Sequence, residues 1–328
     1  MKFRQILISG RKSAIALTGT MAAVAVAIPL TSAQALTEEQ VDAVASQTTV
    51  VIAQGLRKGD IEARQEWNPG SGAIVAHRGN TYFVLTALHV VRTRDVVYGI
   101  RTSDGEVHIV DDVRTQENIH RLGAEKGEFG DRIDGLDLAI IEFQSDADYP
   151  TTVMGSSDQL QPGDNLYISG WPNPEDDSAR RVRKTVDGKL TAIFFQPSAD
   201  GGYSLLYDNP TQRGMSGGPV FNARGELVGI HGRGKAQQQN YCIDPQLSTD
   251  NSCGMQTLHF LKQATLDGLN LTYEAPPVDP EVIEAGLRNQ ENADVIEDIY
   301  ETFTFDVRSL LRDTPSGGCG SLLLGDDC

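Results

Sequence analysis

Apolar residues between Leu36 and Tyr273 come only in short runs, and each run is soon cut off by turn-forming residues. The runs are Thr48 to Ala53, Ser71 to His77, Thr81 to Ala87, Asp137 to Phe143, Asn165 to Ser169, Gly188 to Phe195, Pro219 to Phe221 and Glu226 to Gly232. Between many of them stand turn signals such as Arg78-Gly79-Asn80, Ser103-Asp104-Gly105 and Ala223-Arg224-Gly225, where glycine can take a backbone conformation that other residues resist. A chain punctuated this way has little room for helices and closes into antiparallel sheets, as a barrel or a sandwich.

With 328 residues, 39% of them hydrophobic, the chain can bury a sizeable core, which argues against a disordered or disulfide-only protein. Its net charge of -17 repels phosphate backbones and anionic lipid surfaces, so neither nucleic acid nor a membrane surface is an expected partner. The first 35 residues differ. Lys2, Arg4, Arg11 and Lys12 precede an apolar stretch from Ala14 to Leu30 without an acid, and Ala33-Gln34-Ala35 gives a small-x-small end. That is the form of a secretory signal peptide cleaved after Ala35; the competing reading is a retained anchor. No later run reaches the roughly 18 apolar residues of a membrane span. A secreted or periplasmic protein is expected.

Four cysteines, Cys242, Cys253, Cys319 and Cys328, all lie in the last third. In an exported chain sequence neighbours are the expected disulfide partners, although four cysteines allow three connectivities. Their spacing lacks the tight C-x-x-C form of a zinc site. From Glu274 onward 13 acids face only Arg288, Arg308 and Arg312. Within this stretch Asp279-Pro280-Glu281 reads as a helix start, with Asp279 as N-cap, and Val295, Ile299 and Phe303 recur on one helical face. The expected organisation is a signal peptide over 1–35, one domain over 36–273, and an acidic, partly helical tail over 274–328, docked weakly on the domain or on a partner.

Three segments carry chemistry. In Tyr82-Phe83-Val84-Leu85-Thr86-Ala87-Leu88-His89-Val90-Val91 an apolar strand runs into a histidine; by itself such a histidine is more often core than catalyst. In Leu136-Asp137-Leu138-Ala139-Ile140-Ile141 an acid opens an apolar strand. Burying that carboxylate is costly without a partner, and a histidine N–H is one, whereas Asp131 and Asp134 read as exposed turn acids. Arg213-Gly214-Met215-Ser216-Gly217-Gly218-Pro219-Val220-Phe221 is the most telling. Serine attack on an acyl carbon needs an exposed hydroxyl on a sharp turn, with backbone N–H groups aimed at the oxyanion.

Together these segments resemble those of chymotrypsin-like serine peptidases in their His, Asp, Ser order. They are closest in form to exported trypsin-like peptidases of cyanobacteria, with their Leu-Thr-Ala-x-His-Val-Val and Gly-Met-Ser-Gly-Gly-Pro-Val segments. The resemblance spans roughly Leu36 to Leu261, including Gly170-Trp171-Pro172 and Gly229-Ile230-His231-Gly232. It implies an all-β fold of two six-stranded antiparallel barrels with the site between them. By position, Ser216 is the implied nucleophile, His89 the general base and then acid, and Asp137 the carboxylate that fixes the histidine tautomer. The N–H groups of Gly214 and Ser216 make the implied oxyanion hole. One departure stands out: digestive members carry an Asp before the nucleophile, and this chain has Met215, so activation by an ion pair with a new N-terminus is not expected.

The pocket that reads the residue before the scissile bond has Pro210 six residues ahead of Ser216, where tryptic enzymes have an Asp. Thr211 and His231 instead resemble the pair with which bacterial glutamyl endopeptidases grip a carboxylate, and Arg213 could add charge at the rim. The alternative is that His231 merely packs in the second barrel. Two other enzyme readings are weaker. Gly214-Met215-Ser216-Gly217-Gly218 also satisfies the G-x-S-x-G elbow of α/β-hydrolases, but no βα alternation precedes it. HtrA-type proteases add a PDZ domain, for which the tail is too short. A catalytically silent module that binds peptides or a partner is the non-enzymatic alternative. The expected partners are protein or peptide substrates and a possible basic partner for the tail; no metal or organic cofactor is implied.

Overall fold

A computed structural model of the chain describes residues 35–58, 68–112, 118–126, 132–174, 181–234, 242, 251–266, 271–274 and 277–290. Seven strands make the first half: β1 (Thr49–Gln54), β2 (Gly70–Arg78), β3 (Thr81–Thr86), β4 (Val97–Arg101), β5 (Val107–Asp111), β6 (Ile119–Lys126) and β7 (Arg132–Gln144). They pair antiparallel in the order β5-β4-β1-β2-β3-β7-β6. The sheet curls until His108 of β5 stacks on Phe143 of β7, their ring centroids 4.4 Å apart. Ile52, Ile74, Val84, Ile100 and Ile141 fill its interior.

The second half is a closed barrel of β8 (Asn165–Gly170), β9 (Lys184–Ile193), β10 (Leu205–Tyr207), β11 (Pro219–Asn222), β12 (Leu227–Arg233) and β13 (Ser252–Gln256). Its order is β10-β13-β12-β11-β8-β9, around Leu166, Ile168, Leu205, Val220 and Val228. The all-β, chymotrypsin-like double barrel follows, with one difference: the first half has seven strands rather than six and is a curled sheet rather than a closed barrel.

The turn signals hold. Gly79, Gly105 and Gly225 each sit at positive φ, +57°, +80° and +70°, at the three places where the sequence marks a turn. Strand lengths hold less well. The acid of Leu136-Asp137-Leu138 does not open a strand, because β7 already runs from Arg132. Strands β4, β5, β6, β10 and β13 have no counterpart among the expected runs. The expected strand start at Thr48 is instead the last residue of α1 (Glu38–Thr48). Thr37 caps that helix: its hydroxyl accepts from Gln40 N–H while the Gln40 side chain accepts from Thr37 N–H, which satisfies two amides that have no intrahelical partner. Helix α2 (Thr257–Leu266) follows β13 directly.

Residues 280–290 are helical and form α3. Asp279 caps it as expected, its carboxylate accepting from Glu281 N–H at 2.9 Å. The tail is joined to the body here more firmly than its charge suggests. Gly286 lies so close to α1 that a Cβ there would stand 2.1 Å from the Ala43 carbonyl oxygen. The Gln290 amide donates to Asp42, which also receives both guanidinium nitrogens of Arg183 at 2.7 and 3.0 Å. Cys242 and Cys253 form a disulfide. The signal segment up to residue 34, the face of Val295, Ile299 and Phe303, and the Cys319 and Cys328 pair lie outside the described residues. Among those described, no helix is long and apolar enough to cross a membrane.

The Gly286 contact reverses an ordinary preference. In an exposed helix Gly→Ala stabilises by about 0.5–1 kcal/mol; here the added methyl collides with backbone, and overpacking costs about 1–3 kcal/mol. Gly286→Ala is expected to lower the urea midpoint without changing the m-value, read by circular dichroism.

Candidate active site

The site is built from the edges of both halves. After β3, residues Leu88–Val90 make one tight turn in which Leu88 and Val90 are buried, leaving His89 between them with its side chain 30% exposed. Asp137, inside β7, is wholly buried. One carboxylate oxygen accepts the His89 backbone N–H at 2.9 Å and the other lies 2.7 Å from His89 Nδ1. The acid thus grips both ends of one residue, which orients the ring and fixes the proton on Nδ1. Asp134 is exposed and pairs instead with Lys126 at 2.5 Å, as expected of a surface acid.

Sequence reasoning missed a third donor to Asp137. Tyr203, fully buried, donates its hydroxyl to the same oxygen that faces His89, at 2.5 Å. Burial alone would push the Asp137 carboxyl up. The adjacent His89 charge and the hydrogen bonds from His89 and Tyr203 outweigh that and hold it below the usual carboxylate range. Burial, with the Asp137 charge adding to it, pushes the Tyr203 phenol well above its ordinary value, so it stays protonated and donating. The loop carrying Tyr203 laces onto β7. Asp137 N–H donates to Gly201 O at 2.8 Å, Gly201 N–H to Ile133 O at 2.9 Å, and Ile133 N–H to the Asp200 carboxylate at 2.8 Å.

Ser216 sits on a turn whose shape needs glycine, with Gly214 at φ +94° and Gly217 at +84°. Met215 N–H donates to Gln212 O, Gly217 N–H to His231 O and Gly218 N–H to Met215 O. Among the described residues no acceptor takes the N–H groups of Gly214 and Ser216, which leaves two backbone donors beside the serine. Neighbours hold the turn there. A Cβ on Gly214 would meet the Trp171 carbonyl at 2.5 Å and the Arg181 guanidinium at 2.7 Å; Arg181 in turn donates to Trp171 O and to the Asn173 side chain, both at 2.7 Å. From the first half, Ser71 N–H donates to Ser216 O at 2.7 Å and its hydroxyl to Gly214 O at 2.9 Å. Met215 is fully buried in the second barrel, an apolar plug where digestive relatives hold an acid.

His89 and Asp137 of the first half and Ser216 of the second lie where the halves touch: Ser71 N–H reaches Ser216 O, and a Cβ on Gly217 would stand 2.9 Å from Ala87 N. The Ser216 hydroxyl donates to the Gly232 carbonyl, 3.1 Å away. Two of the residues expected to read the substrate, Thr211 and His231, are buried. His231 is 1% exposed, with Nδ1 2.7 Å from the Tyr207 hydroxyl. Burial, helped by the nearby His89, pushes it down to about 3 against an opposing hydrogen bond to the Cys253 backbone, so it is neutral. Thr211 Oγ1 lies 2.7 Å from the Ser252 hydroxyl and would be 3.1 Å from a Cβ on Gly234, three residues past His231. The Arg213 side chain is exposed.

Comparison with known proteins points the same way. Residues 70–230, a span containing His89, Asp137 and Ser216, match the family model of the trypsin-like peptidase domain. A probable periplasmic serine endoprotease DegP-like of Marinomonas sp. (strain MWYL1) is 30% identical over 162 residues, 49% of this chain and 29% of that protein. The putative protease Do-like 14 of Arabidopsis thaliana is 28% identical over 169 residues, 49% of this chain and 34% of that protein. The glutamyl endopeptidase of Staphylococcus aureus (strain MRSA252) is 30% identical over 115 residues, 33% of this chain and 29% of that protein. The matched segment thus spans about a third or less of each relative's length.

The neutral, buried His231 makes a pH prediction. Its proton affinity is lower folded than unfolded, so between about pH 6.5 and 5, above the carboxylate range, the unfolded chain binds more protons. Unfolding free energy should therefore fall as pH is lowered through that window. His231→Gln should make the fall shallower in urea titrations at stepped pH.

Proposed function

We propose that this chain, which carries a trypsin-like peptidase domain of the chymotrypsin-like class, is an exported serine endopeptidase that cleaves peptide bonds through an acyl-enzyme. The observation that supports the reading is the wholly buried Asp137 gripping His89 at both its backbone N–H and its Nδ1, with Ser216 on a glycine turn held by Ser71 of the half that carries His89 and Asp137. His89 Nε2 takes the Ser216 proton as the hydroxyl swings from Gly232 O and attacks the scissile carbonyl. The developing oxyanion is received by Gly214 and Ser216 N–H. His89 then gives the proton to the leaving amine, and Asp137 stabilises the imidazolium throughout. Water repeats the sequence on the acyl-enzyme. The basic and apolar opening of the chain supports export by a signal peptide, and the acidic residues beyond α3 suit contact with a basic partner.

A silent peptide-binding module is the alternative, and a fluorophosphonate probe separates the two, since only an activated serine is labelled. Ser216→Ala should abolish labelling and lower peptide turnover by about four to six decades. Asp137→Asn should cost nearly as much and Asp134→Asn little, measured as kcat/KM on a peptide found by mass-spectrometric mapping of cleavage sites. A dead Asp134 variant would reassign the acid.

A preference for Glu before the scissile bond is the specificity reading, supported by the similarity to a glutamyl endopeptidase and by a Thr at 211 and a neutral His at 231. A substrate carboxylate, which can only accept, would take a ring N–H of His231 in place of the Cys253 backbone. Peptides with Glu should be cut faster than those with Gln, and His231→Ala should erase that difference while other peptides are still cut. Strong cleavage after Arg or Phe with Glu ignored overturns it.

A further inference from the structure

The triad reading makes no use of the buried Tyr203 hydroxyl. We propose that Tyr203 is a positioning residue for the reaction, a donor from the second half that fixes the rotation and tempers the charge of Asp137, and that Gly232 is glycine to make room for it. The proposal rests on the triad reading above.

Three observations carry it. First, the hydroxyl shares its acceptor oxygen with His89 Nδ1, so it acts on the lone pairs that orient the imidazole and not on the far side of the carboxylate. Second, the ring has almost no freedom. A Cβ on Gly232 would come within 2.3 Å of its Cε1 and 3.2 Å of its hydroxyl, and one on Gly201 within 2.8 Å of Cε2. The Arg233 guanidinium lies 4.6 Å from its centroid and is itself tied to Asp200 at 2.9 Å. Third, its backbone is pinned: Tyr203 N–H donates to Ser198 Oγ, and Ser198 N–H to Tyr203 O, both at 2.9 Å.

The physical role follows from the shared oxygen. A buried carboxylate held only by His89 could turn with the ring; a second donor from another part of the fold sets its plane independently. That donor also draws charge away from the oxygen facing His89 and so weakens the stabilisation of imidazolium. The charged groups facing Asp137 are His89 on one side and, across the Tyr203 ring, Arg233 with Asp200. Loss of the hydroxyl leaves the full carboxylate charge on His89 and favours its protonated form at higher pH.

Tyr203→Phe in the full chain removes only the hydroxyl. Expected are a fall in kcat of about tenfold to a hundredfold, the worth of one hydrogen bond to a charge, with KM within twofold, an acid limb of the pH–rate profile moved to higher pH, and a displaced His89 Nδ1–H resonance in proton NMR. Placing 3-fluorotyrosine at 203 keeps the ring and strengthens the donor, and should move the acid limb the other way; this arm stands even if the phenylalanine variant fails to fold. An unmoved acid limb and an unmoved Nδ1–H resonance overturn the proposal, whether kcat is kept or falls, because a merely structural hydroxyl would change the melting temperature alone. The resonance can be read without turnover. A chain that hydrolyses nothing yet shows the displaced resonance defeats the peptidase reading and leaves the Tyr203 assignment standing.

Discussion

A carboxylate with no access to water governs this molecule. Asp137 is wholly buried, and a lone charge in such a place would cost several kcal/mol. It survives because three donors meet it, two from His89 and one from Tyr203. These come from opposite halves, so folding is complete only when the curled sheet and the closed barrel have docked at that carboxylate. The reactive histidine is thereby oriented by the same condition that makes burial tolerable. Stability and chemistry share one set of hydrogen bonds.

Much of this was legible in the residues. Glycine in three turn signals marked three hairpin corners, because positive φ there excludes most other side chains. The contrast between Asp137 and Asp134 was also readable: only the former leads into continuous apolar sequence, and the structure buries one and pairs the other with Lys126 on the surface. Helix α1 was readable but missed; Thr37-Glu38-Glu39-Gln40 has the capping-box spacing, overlooked beside the stronger strand pattern. Strand β4 was hidden because Gly99 and Arg101 interrupt its apolar run although four of its five residues are buried, and β5 because only Val110 of Val107–Asp111 is buried. Tyr203 was out of reach for a different reason. Its partner Asp137 lies 66 residues away in β7, while Tyr203 itself sits in a loop whose Ser, Asp and Gly content reads as solvent-facing, and no local periodicity announces a tertiary hydrogen bond.

The nucleophile turn shows the complementary pattern. Its glycines serve both for conformational freedom, with Gly214 and Gly217 at positive φ, and for lack of space. A side chain at Gly217 would strike the Ser71 carbonyl at 2.2 Å, and one at Gly218 the Ser169 carbonyl at 2.1 Å. Close packing holds Ser216 and its two unpaired amides in place before any substrate arrives, which is what preorganised charge stabilisation requires. The serine hydroxyl itself is the movable part, resting on Gly232 O.

The exchange between halves is reciprocal. Ser71, from the sheet that supplies His89 and Asp137, holds the backbone of Ser216 and Gly214, while Tyr203, from the barrel that supplies Ser216, holds Asp137. Each half therefore finishes a site that the other begins. The curled sheet and the closed barrel are thus tied to each other by polar groups in both directions. A chimera that took one half from a distant homologue would strand Ser71 or Tyr203 against surfaces shaped for other partners. Divergence in such a chain is thus channelled into its outer loops and its tail, and the two halves must be inherited as a pair.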